Sequence, residues 1–180
     1  GDRGGGWRLK PAASTPRRAG AANRLRIVGG EWRSRVLQFP DALGLRPTPD
    51  RARETLFNWL GQDLTGLACV DLFAGSGALG LEAASRGAAR VVLVESNPRV
   101  ADALQSNIRL LRAEGRVELY RQDALKFASL SSCVFDVAFL DPPYGKGWLD
   151  KLAPLLPRFM KEDAVLYVES EVPLQALGDW

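Results

Sequence analysis

Val134 to Tyr144 reads V-F-D-V-A-F-L-D-P-P-Y, an apolar run that ends in an acid, two prolines and an aromatic ring. Prolines fix their own backbone and cannot continue a central strand, so a strand over Phe135 to Leu140 stops abruptly there. Asp141 and Tyr144 are thereby displayed on a stiff bracket. An amino group on a flat heterocycle needs hydrogen-bond acceptors in the ring plane and a partner for its π face. Asp141, the carbonyl of Pro142 and the Tyr144 ring can supply these. A plain strand end closed by a Pro-Pro turn would have the same sequence.

A second cluster lies upstream. The run Asp71-Leu72-Phe73-Ala74-Gly75-Ser76-Gly77-Ala78-Leu79-Gly80 follows an apolar strand and opens a helix, with Glu95 placed 24 residues after Asp71. Gly75 and Gly77 allow close backbone approach to a ligand, and Glu95 can bind both hydroxyls of a ribose. Gly75, Gly77 and Gly80 form a formal G-x-G-x-x-G that equally admits a nicotinamide dinucleotide. Asp71, four residues before the first glycine, is the additional feature, since it can reach a cofactor amino group.

These residues require a scaffold that brings strand ends together. Five apolar runs read as strands: Ala68 to Phe73, Arg90 to Glu95, Val117 to Arg121, Phe135 to Leu140 and Ala164 to Glu169. Between the second and third lies a helix capped by Asn97 and opened by Pro98, with Val100, Leu104, Ile108 and Leu111 on one face and Gly115 at its end. The segment after the third strand is short and weakly helical, and the next is broken by Pro154 and Pro157. Strands alternating with helices imply a mostly parallel sheet with helices on both faces, an α/β fold whose ligand sits at the carboxyl ends of the strands. Asp71, Glu95, Asp123 and Asp141 all fall at such ends. An acidic crevice suits a cationic or hydroxyl-rich cofactor better than a polyphosphate one.

Before the first of these strands, Leu25 to Val28 and Val36 to Phe39 are β-prone and suggest a hairpin with Trp32, Arg33 and Arg35 at its tip. An exposed tryptophan beside arginines can stack on a base and pair with phosphate. A helix follows, capped by Thr48 and opened by Pro49, with Asp50 in its first turn. Its apolar stripe is Ala52, Leu56, Trp59 and Leu60, and Gly61 ends it. Arg46, Thr48 and Arg51 then lie near a helix amino terminus, which welcomes a carboxylate.

Composition narrows the chemistry. The 180 residues contain no histidine, which excludes Ser-His and Cys-His triads and histidine metal sites, and Cys69 and Cys133 lack C-x-x-C spacing. They read as small core residues, and no metal is expected. No apolar run approaches the ~20 residues needed to span a membrane, and the amino end lacks the apolar core of a secretion signal, so a cytoplasmic protein without membrane contact is expected. Residues 1–53 carry twelve Arg and Lys against four Asp and Glu, whereas the remainder carries twelve against seventeen. Such a basic arm is the footprint of a polyanion binder. Residues 1–22, rich in Gly, Pro and Arg, read as a disordered tail that can touch nucleic acid through Arg3, Arg8, Lys10, Arg17 and Arg18.

D-x-F-x-G-x-G after the first strand, an acid after the second and D-P-P-Y after the fourth resemble the S-adenosylmethionine-dependent methyltransferases of exocyclic amino nitrogens. More narrowly, R-I-V-G-G-E-W-R-S-R, R-P-T-P-D-R-A-R-E-T-L-F-N-W-L, D-L-F-A-G-S-G-A-L-G-L-E-A-A-S-R-G and F-L-D-P-P-Y, in that order, are similar to the RsmD family, which methylates N2 of a guanine in 16S ribosomal RNA. The resemblance spans residues 25 to about 171. It implies a Rossmann-like class I methyltransferase fold with a small amino-terminal β-hairpin and helix extension. Three parts follow: the tail (1–22), the extension (23–62) and an S-adenosylmethionine-binding catalytic domain (63–180).

The resemblance further implies that Asp71, Phe73, Gly75 and Gly77 surround the methionine and ribose of the cofactor, with Glu95 on the ribose hydroxyls. It sets Asp123 and Ala124 near the adenine and Thr48 with Arg51 near the carboxylate. Asp141, Pro142 and Tyr144 would be catalytic, and Pro143, Trp32, Arg33 and Arg35 would face the substrate. The implied partner is 16S ribosomal RNA within the small subunit or an assembly intermediate. Family members continue past the fifth strand into a final strand pair, whereas this sequence ends at Trp180, so A-V-L-Y-V is expected to lack a neighbour along an exposed edge. Three other functions fit part of the pattern. An adenine-N6 methyltransferase would use the same bracket, and a nicotinamide oxidoreductase would use the glycine loop but not D-P-P-Y. A noncatalytic RNA-binding module would use the basic arm alone.

Overall fold

The computed structural model describes residues 23–41, 49–143 and 145–168. The basic tail, the Arg46 and Thr48 positions, Tyr144 and Glu169 therefore lie outside the described residues. Five strands form one parallel sheet: β3 (Ala68–Asp71), β4 (Arg90–Val94), β5 (Val117–Tyr120), β6 (Phe135–Leu140) and β7 (Met160–Val168). Their order is β5-β4-β3-β6-β7. A separate antiparallel pair, β1 (Asn23–Arg26) and β2 (Val36–Phe39), precedes them.

The sheet is parallel because both faces of its strands are apolar, with side chains alternating between two cores. Cys69, Val91, Leu93, Val117, Val137 and Phe139 face one core, which contains the hairpin, α1 (Asp50–Leu60), α2 (Ala78–Ser85) and α3 (Pro98–Leu110). Val70, Val92, Val94, Ala138, Leu140 and Leu166 face the other, against α4 (Ala124–Leu130), α5 (Trp148–Leu152) and α6 (Leu156–Phe159). A 3-10 turn at Ala153–Leu155 separates the last two helices at the expected proline break. Among the described residues no helix is long and apolar enough to cross a membrane.

The expected strands are present, and several are shorter at their carboxyl ends, where the chain turns into loops. β7 starts at Met160, four residues earlier than expected. A register irregularity between Phe135 and Val137 lets Phe135 pair with Met160 before Val137 pairs with Val165. α3 has the expected cap, with Asn97 Oδ1 accepting from Arg99 N at 3.0 Å and Val100 N at 3.2 Å. Cys69 and Cys133 are free thiols, and Cys69 is buried.

Two expectations about the extension are corrected. α1 begins at Asp50 after Pro49, and it buries Arg53, Leu56 and Phe57 while leaving Trp59 54% exposed. The buried stripe thus keeps Leu56, with Leu60 packed on the core, but takes Arg53 and Phe57 in place of Trp59. A guanidinium can enter because acids wait for it: Arg53 Nη1 donates to Glu82 Oε1 at 3.0 Å and Nη2 to Asp50 Oδ1 at 2.6 Å. Phe57 then packs 6.1 Å from Phe139.

The second correction is Trp32, which is only 5% exposed and is not a free stacking ring at the hairpin tip. The tip folds back onto α2: Trp32 N donates to Ser85 Oγ at 2.9 Å and Glu31 N to Ser85 O at 2.7 Å. The Arg116 guanidinium covers the indole 5.0 Å from its centre. Arg33 and Arg35 remain exposed. Gly30 has φ +81°, and a β-carbon there would lie 2.0 Å from the Ser85 carbonyl oxygen. Gly30→Ala combines left-handed strain with a backbone clash. It is expected to destabilise the fold by roughly 2 kcal/mol or more, read as a lowered midpoint in thermal unfolding.

Candidate functional site

The carboxyl ends of the three central strands, β4, β3 and β6, lie side by side, and the expected residues gather there. Asp71 is the last residue of β3, registered with Leu93 of β4 and Phe139 of β6. The loop after it is tied to both neighbours, since Leu72 N donates to Phe139 O at 3.2 Å and Ala74 N to Val94 O at 3.0 Å. Gly75 and Gly77 have φ of 55° and 84°, the left-handed region that glycine tolerates. At Gly77 a β-carbon would lie 2.8 Å from both Leu104 Cδ2 and Leu81 Cδ1, so glycine also lets the start of α2 close against α3.

Glu95 braces this loop. Its Oε1 accepts from Gly75 N at 2.9 Å and its Oε2 from Asn97 N at 3.0 Å. A carboxylate has about four lone-pair positions, so two acceptor sites remain for a vicinal diol.

Asp71 is 3% exposed, and its Oδ1 accepts from Phe73 N at 3.2 Å. Burial pushes its carboxyl up to about 8. The nearby Asp141 and Glu95 add to the rise, and backbone hydrogen bonds from Phe73 and Gly80 oppose it. The site thus concentrates three acids, one of them inside the protein. A cation placed against Asp71 would relieve this arrangement, whereas a pyrophosphate would meet like charge. S-adenosylmethionine, with its sulfonium, ammonium and ribose diol, fits these groups, and a nicotinamide dinucleotide fits them poorly.

Just past β6, Asp141 and Pro143 are exposed and Pro142 is buried, so the bracket turns its acid outward at the rim of the sheet. Phe73 meets Trp148 edge-on, with ring centres 5.3 Å apart. Trp148 is half-buried, and its Nε1 is buried without a partner among the described residues. Arg51 is exposed on the first turn of α1.

Asp123 is exposed at the start of α4. Its Oδ1 caps α4, accepting from Leu125 N at 2.8 Å and Lys126 N at 3.2 Å, and Ala124 is buried behind it. The cap signal was present in the sequence, since an acid directly before a helix is a preferred N-cap. Among the described residues no group of three or more His, Cys, Asp or Glu side chains is arranged to hold a metal.

Sequence reasoning missed Glu82, Ser85 and Arg53. The available signal was an acid in the middle of the otherwise small and apolar helix A-L-G-L-E-A-A-S, where a charge needs a buried partner.

Residues 25–179 match the family model described as conserved hypothetical protein 95. The chain is 44% identical over 153 residues to the ribosomal RNA small subunit methyltransferase D of Escherichia coli K12, covering 84% of this chain and 77% of that one. It is 40% identical over 167 residues to the methyltransferase of the same name from Haemophilus influenzae, covering 89% and 86%. Among solved structures, a putative methyltransferase from Escherichia coli superposes with a TM-score of 0.77 at 44% identity, over 84% of this chain and 83% of that one.

Proposed function

The chain belongs to the conserved hypothetical protein 95 family and, by its identity to the enterobacterial and Haemophilus proteins, to the small-subunit ribosomal RNA methyltransferases D; from that premise we propose that it methylates the exocyclic N2 of a guanine in 16S ribosomal RNA. The observation that carries this function is the convergence of Asp71, Glu95 and Asp141 at the ends of three adjacent strands, beside a glycine loop and a proline-braced turn. The substrate is the small subunit or an assembly intermediate.

Bound S-adenosylmethionine supplies an electrophilic methyl on a sulfonium. The chain's own residues hold the donor and orient the acceptor. Asp71 would hold the amino group of the donor and Glu95 the ribose hydroxyls, with Phe73, Gly75 and Gly77 in the loop between them. Asp123 and Ala124 would contact the adenine, and Thr48 and Arg51 would take the carboxylate.

The amino lone pair of guanine is delocalised into the ring and must be localised toward the methyl. The Asp141 carboxylate and the Pro142 carbonyl accept the two amino hydrogens, and Tyr144 stacks on the base with Pro143 beside it. Asp141 would receive the proton that the amino nitrogen loses on methylation. Arg33 and Arg35, exposed on the hairpin, would hold phosphates, and Trp32, buried against α2, would anchor the tip. The base leaves its stack to enter the site at a cost of a few kcal/mol, least at an unpaired position.

Methyl-tritiated cofactor offered to small-subunit particles and, separately, to duplex DNA tests the assignment. Label is expected in the RNA of the particles and absent from the DNA. Transfer to DNA adenines would move the assignment to adenine-N6 chemistry.

A further inference from the structure

Among the contacts that join the extension to the rest of the protein, those of Glu82 reach both the hairpin and α1. Glu82 lies in the middle of α2, is 0% exposed, and uses both carboxylate oxygens twice. Oε1 accepts from Val28 N at 2.9 Å and Arg53 Nη1 at 3.0 Å. Oε2 accepts from Gly29 N at 2.9 Å and Arg86 Nε at 3.0 Å. Four acceptances exhaust the lone pairs of a carboxylate, and the donors come from three elements: the hairpin, α1 and α2 itself.

The contacts continue on either side. One turn along α2, Ser85 Oγ donates to Gly29 O at 2.6 Å and accepts from Trp32 N at 2.9 Å. On the α1 side, Arg53 reaches Asp50, whose second oxygen accepts from Arg26 Nε of β1 at 3.2 Å. Toward the site, α2 begins directly after Gly77, five residues before Glu82, or about 7 Å along the helix axis.

The geometry points to Glu82 as a positioning residue for methyl transfer, one that holds the arginine-bearing hairpin and the amino end of α1 in register with the glycine loop. RNA held by the hairpin then presents its base to a methyl held by the loop. This rests on the RNA methyltransferase function proposed above. A filler of the same shape would occupy the space but would take this acceptor from the Val28 and Gly29 amides, Arg53 Nη1 and Arg86 Nε. What Glu82 supplies is therefore orientation of the hairpin backbone and α1.

Glu82→Gln keeps the shape but turns an NH2 group toward two donors. Assayed with small-subunit particles well below its unfolding temperature, it is expected to raise KM for RNA about tenfold or more, with cofactor Kd changed less than twofold. The Val28 and Gly29 amides are expected to exchange hydrogen faster. Ser85→Ala, which leaves Glu82 intact and removes only the hydroxyl's two bonds to the hairpin, serves if Glu82→Gln does not fold; about a threefold rise in KM for RNA is expected. A folded variant that melts at lower temperature but keeps wild-type KM and kcat, with unchanged amide exchange, would overturn the inference. If the wild-type protein itself transfers no methyl to small-subunit RNA, the functional assignment fails on its own, and the two amide exchange rates still decide whether Glu82 holds the hairpin.

Discussion

Asp141→Ala is expected to lower kcat for methyl transfer on the order of 10²–10³-fold, the size of effect seen when one preorganised group facing developing charge is removed. Folding should be unaffected, because Asp141 is exposed at the rim of the sheet and substitutions at such positions usually change stability by less than about 0.5 kcal/mol. Cofactor Kd should change little, because the cofactor contacts proposed above come from Asp71, Glu95 and the loop between β3 and α2. Asp141→Asn retains one acceptor oxygen but cannot take the proton, so its rate should fall between those of wild type and the alanine variant. Single-turnover transfer to small-subunit particles separates these effects from product release. Near-normal transfer by a folded alanine variant would remove Asp141 from the mechanism.

Asp71→Asn has the second largest expected effect, and its sign differs between stability and binding. The folded, ligand-free protein holds Asp71 protonated up to about 8, against an ordinary value of 3.8, because burial and the neighbouring acids disfavour its charge. The folded state therefore binds a proton that the unfolded chain has released. The stability from this group is fully present below the unfolded value and is lost as pH rises through about 8. Asparagine has no such proton to lose, so the variant's ligand-free melting temperature should fall less than that of wild type between pH 5 and pH 9.

Binding moves the other way. A cationic donor favours the carboxylate, so wild-type affinity should rise with pH and level off above about 8. At pH 8 the asparagine variant should bind the donor on the order of 10- to 100-fold more weakly, the worth of a charge-assisted hydrogen bond in a buried setting. Calorimetric titration across pH checks both halves. Equal pH dependence in the two proteins would remove Asp71 from the cofactor site.

Most of the sheet was legible because its strands announce themselves: short apolar runs with β-branched residues, two-faced burial and helices between them. The glycine loop, Glu95 and the proline bracket were legible for a related reason, since glycine and proline restrict the backbone locally and an acid at a strand end has few structural duties. What failed were positions whose burial depends on a partner far along the chain. Arg53 reads as solvent-facing until Glu82, 29 residues on, is placed beneath it, and that swap turns Trp59 outward. Trp32 reads as an exposed ring among arginines until Ser85 and Arg116 close over it. Asp123 shows the opposite problem, one residue serving two local signals, helix cap and ligand acceptor, of which the structure shows the cap.

The central claim is that an extruded guanine and a sulfonium donor meet at the carboxyl ends of β4, β3 and β6, with the accepting nitrogen oriented by Asp141 and Pro142. The most direct measurement is mass spectrometry of nucleosides, followed by mapping of the modified fragment, after incubating the protein and S-adenosylmethionine with undermodified small subunits. A single N2-methylguanosine per 16S RNA is the predicted product. A methyl on an adenine N6, or no methylated nucleoside at all from active particles, would contradict it.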